Sequence, residues 1–76
     1  MTPEIFDALL ESHLSRTPFR VFTIELQGGK QFEIDHPRAT VLRNGVAVFI
    51  APGNVPVWFD HESVSQVIEA PANTAI

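Results

Sequence analysis

The sequence predicts an α+β domain, one N-terminal helix followed by a four- to five-stranded antiparallel meander. Three observations carry that expectation. A capped segment with helical hydrophobic spacing opens the chain, and the spacing switches to period two after Pro18. Gly28-Gly29, Asn44-Gly45 and Pro52-Gly53-Asn54 then punctuate the rest of the chain as tight turns. Seventy-six residues, 45% of them hydrophobic and 18% charged, suffice for one small core and leave no room for two. Residues 1–69 are therefore read as a single domain, and residues 70–76, which lack any periodic pattern, as a flexible tail.

Thr2-Pro3-Glu4 is a helix start: Thr2 caps free amides, Pro3 suits the first helical position, and Glu4 complements the positive end of the dipole. At 100° per residue, Ile5, Phe6, Leu9, Leu10 and His13 form one apolar stripe, with Glu4, Asp7, Ala8 and Glu11 outside it. The helix should end near Leu14, before Ser15-Arg16-Thr17-Pro18. Phe22, Ile24 and Leu26 then alternate with Thr23, Glu25 and Gln27, and after Gly28-Gly29 the residues Phe32 and Ile34 alternate with Gln31, Glu33 and Asp35, which makes Phe19 to His36 a β-hairpin. Pro37 ends that strand or places it at an edge, and extended structure resumes around Thr40-Val41-Leu42. Val46 to Ala51 has no polar positions, so it is expected to be a central strand covered on both faces, by the helix or by a second subunit. Val55, Val57 and Phe59 alternate with Pro56, Trp58 and Asp60 in a further strand, a short capped turn comes next at Asp60 to Ser63, and Val64 to Glu69 closes the meander.

Composition excludes several function classes. Without cysteine there is neither a disulfide framework nor a thiolate zinc site, so a small core must suffice or be extended by oligomerisation. Five basic against nine acidic residues, a formal net charge of −4, argues against non-specific attraction to phosphate backbones or anionic lipid. No apolar run approaches the roughly 20 residues of a membrane span. Glu4, Asp7 and Glu11 stand where a signal peptide would be basic and then apolar, so a cytoplasmic protein is expected.

Two resemblances extend this reading. Pro18-Phe19-Arg20, Phe22 to Leu26, Gly29-Lys30, Phe32-Glu33-Ile34 and His36-Pro37 form a PFRxFxIxL segment, a glycine turn, FxI and HP. This resembles a recurrent pattern in a group of small uncharacterised bacterial proteins, and Val57 to Asp60 and Val64 to Ile68 are similar to that group's second half. The likeness implies a bacterial domain and transfers no site. The element order, a long bent hairpin followed by shorter strands, resembles the small Sm/SH3-like barrels; barrels of that type imply ring oligomers and RNA binding.

Each candidate site has a plainer reading beside it. Asp35-His36 and Asp60-His61-Glu62 invite a metal, yet neighbours in a strand point to opposite faces and no metal-ligand spacing is present, so no metal or cofactor is expected. Ser12, Ser15, Ser63 and Ser65 lack a nucleophile context, and Gly28-Gly29-Lys30 lacks the strand-to-helix setting of a phosphate loop, so no catalytic residue is assigned. His13, inside the apolar stripe, reads as a hydrogen-bonded histidine at a helix C-terminus, with a pH-sensitive interface as the sharper alternative. Arg16, Arg20 and Arg38 with Phe19 as a stacking surface would form a nucleic-acid patch, but the scattered cations and acidic balance favour solvated or fold-supporting roles.

The best signal is apolar: Trp58 faces outward beside Pro56 if Val57 and Phe59 face inward, and only the helix or a partner would cover it. The expected function is thus a protein–protein interaction module that self-associates, as a homo-oligomer and most simply a dimer, through Trp58, Pro56, Phe19, Arg20 and His13. An Sm-like nucleic-acid-binding protein is the alternative.

Overall fold

The structure, a computed structural model, describes residues 1–69; the predicted tail at 70–76 lies outside the described residues. One helix, α1 (Pro3–Leu14), precedes six strands: β1 (Phe22–Leu26), β2 (Gln31–Ile34), β3 (Thr40–Arg43), β4 (Val46–Ala51), β5 (Val55–Asp60) and β6 (Val64–Glu69). The α+β class stands, with six strands instead of four or five. The count rises because the chain leaves the ladder after Ile34 and rejoins one only at Thr40; Pro37, which has no N–H to give, lies in that gap.

The strands form two three-stranded antiparallel sheets, a first in the order β2-β1-β6 and a second in the order β3-β4-β5. Their inward residues build one core from Phe22, Ile24 and Ile34 on the first sheet, Ala47, Phe49 and Phe59 on the second, Val64, and Phe6 and Leu10 from the helix. Val64 and Val67 are three residues apart yet both pack into or against this core, which a strict two-residue alternation forbids. A bulge resolves the conflict: Glu25 pairs with Gln66 while Leu26 pairs with Val64, so Ser65 is the extra residue, and its hydroxyl donates to the Glu25 carbonyl at 3.1 Å.

Helix α1 begins as expected, with the Thr2 hydroxyl accepting from the Ile5 N–H at 3.1 Å and Pro3 in the first turn. Its buried line is Phe6, Leu10 and the half-buried Leu14, whereas Ile5, placed in the stripe by spacing alone, is 58% exposed. The helix is therefore rotated about its axis so that Ile5 flanks the contact. Phe6 meets Phe59 of the second sheet edge-on at 5.8 Å, and His13 stacks on Phe22 of the first at 4.8 Å. One helix thus bridges both sheets. Among the described residues, no helix is long and apolar enough to cross a membrane.

The N-terminal end of the helix is fastened to the turn between β3 and β4. Asp7 accepts from the backbone N–H groups of Asn44 at 3.0 Å and Gly45 at 2.9 Å with its two carboxylate oxygens. Gly45 has φ +86°, and a Cβ there would lie 2.9 Å from Pro3 and 2.8 Å from the His61 ring, so only glycine permits the approach. His61 donates from Nδ1 to the Met1 carbonyl at 2.8 Å, since a carbonyl can only accept, so Nδ1 carries a proton.

Candidate functional site

Register assigns every side chain of the second sheet to a face. Arg43, Val46 and Asp60 stand side by side in one cross-strand row, Val41, Val48 and Trp58 in the next, and Ile50 and Pro56 in a third. These rows look outward, since Thr40, Ala47, Phe49 and Phe59 between them are buried. Trp58 and Val41 are each 69% exposed, and Val46 and Ile50 are close to half exposed. A shallow depression of about 260 Å³ lies on this face, lined by Val41, Arg43, Val46, Val48 and Trp58 among others.

The expectation that β4 is covered on both faces is therefore corrected within one chain. Its Ala47 and Phe49 side is buried, but its Val46 and Ile50 side is open, because the helix packs on the inner side through Phe6 and leaves the outer side untouched. For the same reason the helix does not cover Trp58. Pro56, predicted beside Trp58, is exposed on the same face and opposite Ile50.

The other predicted contact residues lie elsewhere. Phe19 is half buried, edge-on to Phe22 at 6.2 Å and packed against the core, so only part of its ring faces solvent. Arg20 reaches Glu69 at 3.7 Å, Arg16 pairs with the same carboxylate, and His13 Nδ1 lies 3.7 Å from it. His13, Arg16 and Arg20 are thus gathered around one acidic residue at the end of β6, far along the chain from all three. No motif signals that meeting, because it exists only once β6 pairs with β1.

The histidine-carboxylate segments are occupied by local bonding. Asp60 Oδ1 accepts from the N–H groups of Glu62 at 3.1 Å and Ser63 at 2.8 Å, closing the β5–β6 turn as the predicted capped turn. These bonds, the Ser63 N–H first and its hydroxyl second, hold the Asp60 carboxyl below the usual carboxylate range. His36 Nδ1 accepts from the Arg38 N–H at 3.0 Å. Among the described residues, no three His, Asp or Glu side chains converge as a metal site would require.

Sequence reasoning missed Asp7, which it placed on the solvated side of the helix. Its carboxylate finds donors 37 and 38 residues away, a pairing that helical periodicity does not encode. No family profile matches the chain, nor does any curated protein or solved structure match it significantly.

Proposed function

We propose that this protein is a self-associating interaction module whose contact surface is the outer face of β3-β4-β5. The observation that carries the reading is Trp58, 69% exposed amid Val41, Val46, Val48, Ile50 and Pro56 on one sheet face. An aromatic ringed by aliphatic side chains matches the composition of interface centres, and large contiguous apolar faces mark contact sites more often than solvated ones. A second copy is the occupant favoured by charge: among the described residues of this face the ionisable groups are Arg43 and Asp60, opposite in sign, so the surface is self-complementary.

The barrel likeness has support of its own. β1, β2 and β6 form one sheet and β3, β4 and β5 the other, with the chain bending between β2 and β3, which is the order a small Sm/SH3-like barrel uses. The nucleic-acid reading has less support, since Arg16 and Arg20 share Glu69. Sedimentation equilibrium over a concentration series, on the native chain and on Trp58→Ala, tests the proposal. A dimer lost in Trp58→Ala with the fold retained is expected; a native chain that stays monomeric at the highest concentration overturns it.

A further inference from the structure

Resting on the outer face of β3-β4-β5 as the self-association surface, we infer that two copies dock face to face about a two-fold axis running along β4, with Arg43 of each copy meeting Asp60 of the other. Two sheets stacked with strands roughly aligned admit two such axes, one along the strands and one across them. The axis along β4 exchanges β3 and β5 and keeps the rows in register. Arg43 then lies over the second copy's Asp60, Val41 lies over its Trp58, and Val46, Val48 and Ile50 each lie over themselves. The axis across the strands keeps β3 on β3 and reverses the rows. Arg43 then falls against Ala39, which precedes β3 and bonds to Ile50, and Asp60 against Pro56, which buries two charges without partners.

Three observations favour the first arrangement. Arg43 forms no ion pair among the described residues. Asp60 spends Oδ1 on the turn amides of Glu62 and Ser63, while its Oδ2 accepts no backbone N–H among the described residues and retains a lone pair for a guanidinium. The depression, walled by the chain's own Trp58 on one side and by Val41 and Arg43 on the other, places Val41 where the indole of the second copy arrives, so a small residue opposes a large one across the interface.

The absence of cysteine makes the test direct. Val46→Cys and Ile50→Cys, both at half-exposed positions, are prepared separately and as a mixture, then treated with a short bismaleimide while the native chain's mass is measured by sedimentation. Each variant alone is expected to yield covalent dimer, and the mixture no hetero-linked species, since positions 46 and 50 of opposite copies are then about 13 Å apart along the strands. Linking only in the mixture overturns the axis in favour of the crossed one. A native dimer with no linking anywhere moves the interface off this face, and a native monomer removes self-association itself, so the two failures are separable. Arg43→Glu should weaken the dimer about tenfold or more with the fold intact, and Arg43→Lys much less; an unchanged dimer in Arg43→Glu overturns the charge pairing.

Discussion

The two sheets share one core and differ in what they show to water. The outer face of β2-β1-β6 carries Thr23, Glu25, Gln31, Glu33 and Gln66 with Ile68 among them, Glu25 accepting from Gln66 and from Gln31 at 3.5 Å, whereas the outer face of β3-β4-β5 carries valines, Ile50, Pro56 and Trp58 with Arg43 and Asp60 at one end. Both faces are built by antiparallel pairing of similar length. The difference lies in the side chains alone, and it teaches that the same strand pairing can present a mainly polar outer face on one sheet and a mainly apolar one on the other.

The largest test asks whether the two sheets stand or fall together. Phe6→Ala removes the ring that joins the helix to Phe59 in the shared core, and should cost about 3–5 kcal/mol, read by urea unfolding. Amide signals from both sheets should disappear in one transition; two separate transitions would break the picture of a common core. Next, Trp58→Ala should cost association about 2 kcal/mol or more, while Thr23→Ala on the opposite face leaves the dimer unchanged by sedimentation. Equal losses would erase the contrast between the faces. Asp7→Ala should lower thermal stability by about 1–2 kcal/mol, since it strips two backbone donors of their charged acceptor. Glu69→Ala, near the other end of the helix, removes the part-exposed ion pairs to Arg16 and Arg20 and should cost less than about 1 kcal/mol.

The smallest effect is one of pH. The pKa of Asp60 is lower folded than unfolded, so its contribution is fully present above the unfolded value of about 3.9 and is lost as pH falls through the lower folded value. Stability should therefore fall with acidification below about pH 4. Asp60→Asn should flatten that part of the curve in acid titrations followed by circular dichroism; an unaltered slope would mean that other carboxylates govern the acid limb.

Local rules made much of the fold legible. Thr2-Pro3, Gly28-Gly29 and Asn44-Gly45 each act through neighbours within a few residues, so α1, the β1–β2 hairpin and the β3–β4 turn could be read from spacing. Trp58 was legible too, because strand alternation places it opposite Phe59. Ile5, the Ser65 bulge and the gathering of His13, Arg16 and Arg20 around Glu69 were not, for each depends on which distant surface the element meets. The unbroken apolar run of β4 was the instructive case: an apolar run says that both sides avoid water and is silent on which side its own chain supplies.

The carboxylate of Asp7 ties the departure of the helix to two amides that belong to another element. Those donors lie nearly 40 positions along the chain from Asp7, so the two bonds fasten the start of the helix to the second sheet across a long stretch of sequence. Hydrogen exchange at Asn44 and Gly45 is accordingly expected to quicken in Asp7→Ala, where each amide is left with solvent as its acceptor.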